Sequence, residues 1–166
     1  MGDTTQGEIL LFKMRADPRI KLDAEDLVKY RFKVVSYTSG GRYLTFSGDR
    51  GERVYLHKAV LGITEGEVDH INGKTLDCRR SNLRKANRSQ NNSNQNLRSD
   101  NTSGFKGVYY SKRGNRWVAT VNGRYLGRYK DKYRAAVAYN KEAEKVQGQF
   151  AKLNYFPLVA VGGESE

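Results

Sequence analysis

The stretch RSQNNSNQNLRSDNTSG, residues 88–104, interrupts the hydrophobic patterning of the whole chain. It is rich in Asn and Ser and has no apolar period, so it cannot bury enough surface to order itself as a core element. A chain of 166 residues is long enough for one compact domain or for two small ones. The polar stretch favours two: a module over 1–87 and a module over 104–156, joined by a polar linker at 88–103 and followed by a tail at 157–166.

The first half alternates short aromatic and β-branched runs, FKVVSYTS, RYLTFS and RVYLHKAVL, with Gly, Asp and Ser clusters. That texture predicts two or three antiparallel strands joined by hairpins. A short helix over 23–29, opened by Asp23, is expected before them, and another from Ser81 to Asn87. Beyond the linker, GFKGVYYSK, NRWVATVN and GRYLGRYK predict three strands. Asn122-Gly123 between two of them is a hairpin signal, because both central residues of a type I′ turn need positive φ. DKYRAAVAYNKEAEKVQG predicts a helix capped by Asp131 and Gly148, with Ala135, Ala138, Tyr139 and Ala143 on one face. The expected fold class is α+β: antiparallel β-hairpins first, then a three-stranded antiparallel sheet packed on one helix.

Lys and Arg number 30 against 18 Asp and Glu, a net charge of +12. That balance points to a polyanionic partner, with nucleic acid leading. No apolar run approaches the roughly 18–20 residues of a membrane span, and the start MGDTTQGEIL lacks a basic and apolar leader pattern. The expectation is a soluble, cytoplasmic protein with no membrane partner. Cys78 is the single cysteine, which excludes an intrachain disulfide and argues against a thiolate zinc site. Any metal is therefore expected to use oxygen or imidazole ligands.

From residue 101 to 155 only Asp131, Glu142 and Glu144 oppose a dense set of cations. Strand alternation aims Trp117, Ala119 and Val121 at the helix and Arg116, Thr120 and Asn122 outward. A basic sheet backed by a helix has the shape of a major-groove reader, and a solvated basic face has the same pattern. Gly107-Val108, Trp117 with Ala119, Leu126-Gly127, Ala135-Ala136-Tyr139 and Leu153-Asn154 resemble the plant AP-two, or ethylene-response-factor, DNA-binding domain over nearly all of this half. The resemblance implies base and phosphate contacts at Lys106, Tyr109, Arg113, Thr120, Asn122 and Tyr125, to which the neighbouring Arg116 and Arg124 are added. Several family arginines are Tyr109, Ser111 and Asn122 here, so the family's GC-rich target is not carried over.

In the first half, VDHINGKTLDCRRSNLRKANRSQNN, residues 68–92, holds one of the chain's two histidines directly after an aspartate. Phosphodiester hydrolysis needs a base to activate water and a cation to offset phosphate charge. A histidine of ordinary pKa about 6.5 suits the base, and a carboxylate with an amide oxygen suits magnesium. Strict alternation would send Asp69 and His70 to opposite faces, so such a site requires the strand to bend or end there, and Asn72-Gly73 just after offers the turn. An Asp-His pair is equally the pattern of a capped turn with a surface histidine.

LHKAVLG, VDHING, LDCRRSNLR and SQNNSN, in that order and spacing, resemble the HNH family of phage and intron-encoded homing endonucleases. The resemblance implies a ββα-metal core in which His70 is the general base and Asp69 and Asn91 bind one divalent cation, magnesium or manganese and not zinc. It assigns Asn82 to bracing the histidine loop, and Asn92 is the alternative ligand one residue on. Cys78 stands where asparagine is usual and is read as a tolerated neighbour. His57 matches a frequent histidine, with a packing or phosphate-contacting role favoured over that of a second base. Arg79, Arg80, Arg84 and Arg88 are candidates for holding the scissile backbone or a generic basic face.

Together the two resemblances imply a site-specific homing-type endonuclease that acts on double-stranded DNA and nicks one strand per site, with a monomer favoured. A phage gene would place it in a bacterial host cell. The rival from another class is a sequence-specific DNA-binding regulator with an inactive nuclease half. An RNA-binding accessory protein is weaker, because the major groove of A-form RNA is too narrow for such a sheet.

Overall fold

A computed structural model describes residues 17–30, 33, 35–39 and 42–156. Parts of the first strand candidate and the tail at 157–166 lie outside the described residues. The architecture is α+β, with three small antiparallel sheets and four α-helices among the described residues. The chain divides into two compact units between Asn94 and Gln95.

In the first unit, helix α1 (Ala24–Tyr30) starts with Glu25 and Asp26 in its first turn and carries Lys29 in its last, which suits the helix dipole. Strands β1 (Ser36–Tyr37), β2 (Leu44–Ser47) and β3 (Arg53–Tyr55) form an antiparallel meander in which Thr45 pairs with both Ser36 and Tyr55. Leu44, Phe46, Leu56, Val60, Val68 and Leu83 build the core, together with Cys78, which is fully buried.

RVYLHKAVL is not one strand. After Tyr55 the chain turns into helix α2 (Leu56–Leu61), which buries Leu56 and Val60 one turn apart. Gly62 at φ 66 closes it: Gly62 N–H donates to Ala59 and Ile63 N–H to Lys58, a Schellman motif that the left-handed glycine permits. The signal was the apolar i, i+4 pair ahead of a glycine, which β propensity obscured.

Strand β4 (Glu67–His70) pairs antiparallel with β5 (Leu83–Ala86), setting Asp69 opposite Arg84 and His70 opposite Leu83. The helix expected from Ser81 is therefore a strand, preceded by a single 3-10 turn at Arg80–Asn82. The physical reason is Asn82, whose side chain bonds to the backbone on both sides of the preceding loop and pulls the chain out of helical geometry. The helix instead begins later: α3 (Arg88–Ser93) lies inside the stretch expected to be linker. It is started by a capping box in which Asn87 accepts from Gln90 N–H while Gln90 accepts from Asn87 N–H, each at 2.9 Å. Ser93 and Asn94 are buried, so order here comes from polar satisfaction and not from apolar area.

In the second unit, β6 (Val108–Ser111), β7 (Arg116–Val121) and β8 (Arg124–Tyr129) form an antiparallel sheet against helix α4 (Lys132–Gln147). Asn122 and Gly123 have φ of 48° and 79°, as a type I′ turn requires. Asp131 caps α4 by accepting from Arg134 N–H at 2.8 Å. Ala119, Ala135 and Ala136 are fully buried and let the helix lie close on the sheet. Gly107 is needed for that approach, because a Cβ there would stand 2.2 Å from the Tyr139 ring and 2.4 Å from the Thr120 carbonyl. Asn154 closes the unit by accepting from Lys106 N–H and donating to its carbonyl.

Candidate active site

Strand β4 sends Glu67 and Asp69 to one face and Val68 and His70 to the other. Helix α3 meets the first face with Asn91 and with its C-cap residue Asn94, three residues on, a spacing that puts both on one side. Asn91 Nδ2 donates to Glu67 Oε2 at 2.8 Å, so the amide oxygen is the end that Glu67 does not engage. Asn94 Nδ2 reaches Asp69 Oδ1 at 2.9 Å and the His70 carbonyl at 2.8 Å. Across the ladder, Arg84 Nε and Nη2 hold Asp69 Oδ2 at 2.7 and 2.6 Å. Asp69 is 3% exposed, and the guanidinium supplies the cationic partner that a buried carboxylate requires.

The strand ends at His70. Gly73 N–H donates back to the His70 carbonyl at 2.7 Å, and the following loop is clamped from inside. Asn82 Oδ1 accepts from Asn72 N–H at 3.0 Å while its Nδ2 donates to the Asp77 carbonyl at 2.8 Å. Asn72 Nδ2 donates to Asp77 Oδ2 at 3.0 Å. A sequence-distant asparagine thus supports the loop that leaves the histidine.

His70 is 5% exposed and its Nε2 has no hydrogen-bond partner; His57, at 6%, has the same condition at Nδ1. Their rings meet edge to face with centroids 5.1 Å apart, and Tyr43 packs beside both. Burial pushes His70 down from its ordinary value to about 4, with Asp69 and Asp77 pulling the other way. Burial, helped by His70 and Lys58, takes His57 down to about 3. Both imidazoles are neutral at pH 7. A cavity of about 270 Å³ lies beside His57, lined also by Tyr43, Tyr55, Lys58, Glu67 and Asn91.

Among the described residues no group of three or more His, Cys, Asp or Glu side chains is placed to hold a metal unaided. Cys78 is buried and its thiol is pushed up to about 12 by burial and by Asp77, so no thiolate is available. The oxygens at the β4–α3 face belong to the Glu67 and Asp69 carboxylates and the Asn91 amide, and those of Asp69 are already engaged by Arg84 and Asn94, with which a cation would have to share them. That chemistry fits a hard divalent cation that keeps several waters and takes few protein ligands.

Other expected residues are engaged elsewhere. Arg79 makes a two-point contact with Asp77 at 2.8 and 2.7 Å, and Arg80 does the same with Asp26. The Arg79 guanidinium holds the Asp77 carboxyl down at about 2. Asn92 lies exposed on α3, off the face that carries Asn91 and Asn94. Glu67, Asn94 and the Arg84–Asp69 pair were not singled out from the sequence. The period-2 spacing of Glu67 to Asp69 and the i, i+3 spacing of Asn91 to Asn94 were the available signals.

On the second unit's sheet, Tyr109 and Tyr125 are half exposed and Arg113 and Arg116 are exposed. A register shift between Ala119 and Thr120 sets Thr120 opposite Tyr125. Val118, on the outward side, is 3% exposed and is flanked in register by Tyr109 and Arg128, so that face has an apolar centre. Asn122 Oδ1 accepts from Gln147 at 2.8 Å, Arg124 pairs with Glu142 at 3.1 Å, and Lys106 Nζ donates to the Gln95 carbonyl at 2.8 Å. Burial and Lys152 bring the Lys106 ammonium down to about 8.

A family model described as HNH endonuclease matches residues 58–93. That span contains Asp69, His70, Asn82 and Asn91, and none of the second unit. No curated protein and no solved structure matches the chain. No helix of the described residues is long and apolar enough to cross a membrane.

Proposed function

We propose that this chain is a site-specific, homing-type endonuclease for double-stranded DNA, in which the segment 58–93 cuts and the second unit's sheet reads the duplex. The observation that carries the proposal is His70 Nε2, a buried ring nitrogen with no partner, inside the segment that matches an HNH endonuclease. Being neutral at cellular pH, His70 accepts the proton of an attacking water as the water oxygen bonds to phosphorus and the bond to the leaving deoxyribose oxygen breaks. An incoming phosphate favours the imidazolium, which raises the His70 pKa toward the working pH at the moment of use. Asn82 keeps the loop in place so that Nε2 does not wander.

Asp69 and Asn91 would hold the divalent cation, magnesium or manganese, with Glu67 adjacent; when bound, the cation offsets negative charge on the phosphate and the leaving oxygen. Arg84 and Asn94 orient the Asp69 carboxylate through their hydrogen bonds. The reading surface consists of Tyr109, Arg113, Arg116, Thr120 and Tyr125. Lys106, Asn122 and Arg124 shape its edges through the bonds they already make. One site per chain nicks one strand, so a monomer suffices for a nick.

The rival is a DNA-binding regulator with an inert first unit. The observation in its favour is that Arg84 and Asn94 already occupy the Asp69 carboxylate. A supercoiled plasmid carrying a target selected from a randomised duplex library separates the two. Magnesium-dependent nicking, lost with a chelator and in His70→Ala while binding persists, supports the endonuclease. Tight binding with an unchanged plasmid supports the regulator.

A further inference from the structure

The first unit's arginines at 79 and 80 are committed to buried aspartates, so a DNA backbone needs other cations there. The segment around Lys21 lies along residues 76–78: Lys21 N–H donates to the Leu76 carbonyl at 3.1 Å and Cys78 N–H to the Lys21 carbonyl at 2.8 Å. A third segment is tied on where Thr75 Oγ1 donates to the Arg42 carbonyl. Between these segments lies a concavity of about 590 Å³ whose lining includes Arg19, Lys21, Arg42, Lys74 and Asp77.

The charge of that lining is one-sided. Asp77 is 1% exposed, and its oxygens are taken by Arg79 and Asn72, so it offers no open acceptor. Arg19 is paired with Asp17. Lys21, Arg42 and Lys74 are exposed, and none of them forms an ion pair with a described residue. Three like charges around one concavity repel each other until an anion enters. The wall that carries Lys74 is the clamped loop that starts at His70, through the Gly73 N–H bond to the His70 carbonyl. Lys74 is four residues on, so its backbone lies within roughly 14 Å of the histidine's, a span of about four nucleotides at 3.4 Å rise per strand.

We propose that this concavity holds the phosphodiester backbone of duplex DNA beside the bond that His70 addresses, with Lys21, Arg42 and Lys74 each neutralising one phosphate. This rests on the proposal that the chain binds duplex DNA, and the test separates the two. Binding of a fluorescently labelled duplex to the full chain is followed by anisotropy across a salt series, with chelator present so that no strand is cut. Each neutralised phosphate contributes about 0.9 to the slope of log affinity against log salt. The triple variant Lys21→Gln, Arg42→Gln, Lys74→Gln is expected to lower that slope by about 2.7, while the charge-preserving triple Lys21→Arg, Arg42→Lys, Lys74→Arg keeps it. All three side chains are exposed, and an unchanged circular dichroism spectrum checks that the fold survives. A wild-type slope retained in the glutamine triple overturns the concavity and leaves DNA binding standing. Equal slope loss in both triples also overturns it, because charge would then not be the cause. Wild-type binding without salt dependence, or none at all, defeats the DNA reading itself.

Discussion

Lowering the pH from 7 to 5 should destabilise the first unit by about 4 kcal/mol, through two side chains. The chain has two histidines, His57 and His70, and histidine is the side chain whose ordinary pKa makes it change charge in this window. In the fold, burial holds them at about 3 and about 4, so both stay neutral at pH 5. Unfolded, each returns to about 6.5 and takes up a proton as the pH falls. The unfolded state then binds more protons than the fold, so stability is fully present above pH 6.5 and declines below it. For one histidine the loss between pH 7 and 5 is about 2 kcal/mol, and any folded value of about 4 or lower gives the same figure. With a urea m-value of about 2 kcal/mol per molar, the pair moves the midpoint by roughly 2 M. The assay is urea unfolding followed by circular dichroism at the two pH values. Trp117, the single tryptophan, lies in the second unit, which has no histidine, so the fluorescence-detected transition is expected to stay in place. His57→Gln should halve the shift whatever it does to absolute stability. A midpoint that does not move between pH 7 and 5, or an undiminished shift in His57→Gln, would refute buried neutral imidazoles.

Further outcomes follow from single contacts. Asn82→Ala leaves Asn72 N–H and the Asp77 carbonyl without their partner and should cost about 1–3 kcal/mol by denaturant titration, with plasmid nicking falling further than the unfolded fraction explains. Asn87→Ala removes the capping box that starts α3; a loss of about 1 kcal/mol in thermal unfolding, with weaker manganese binding through a displaced Asn91, is expected. Gly107→Ala drives a methyl into the Tyr139 ring at positive φ and should destabilise the second unit by about 2–5 kcal/mol, read from Trp117 fluorescence. Arg84→Gln leaves Asp69 buried without its guanidinium, so the first unit should unfold several kcal/mol more easily.

The second unit was legible almost residue by residue. Its strands alternate apolar and polar side chains, Asn122-Gly123 marks the hairpin, and Asp131 and Gly148 bracket the helix. All of these are local signals that agree with the packing the unit adopts. Asp69 and His70 were singled out for chemistry by residue type and order; β4 runs through both, pairs both across the ladder and sends them to opposite faces, and the turn comes only after His70. The local signals failed where long-range polar bonds decide the backbone. Leu83–Ala86 became a strand because Asn82 is held by Asn72 and Asp77, and Arg88–Ser93 became a helix through an Asn87–Gln90 box hidden in a run of asparagines. Composition described that run as linker, because apolar content is blind to order built from hydrogen bonds.

By itself the sequence determined the α+β class and the excess of positive charge. Which cations remain open to an anion was decided by tertiary structure alone. Arg79, Arg80 and Arg84 find their aspartates across a turn, a helix and a strand pair, whereas Lys21, Arg42 and Lys74 line one concavity without an ion pair among the described residues. The physical reason is that a charge's effect depends on what lies within a few ångströms of it, and residues 21, 42 and 74 become neighbours only when the chain folds.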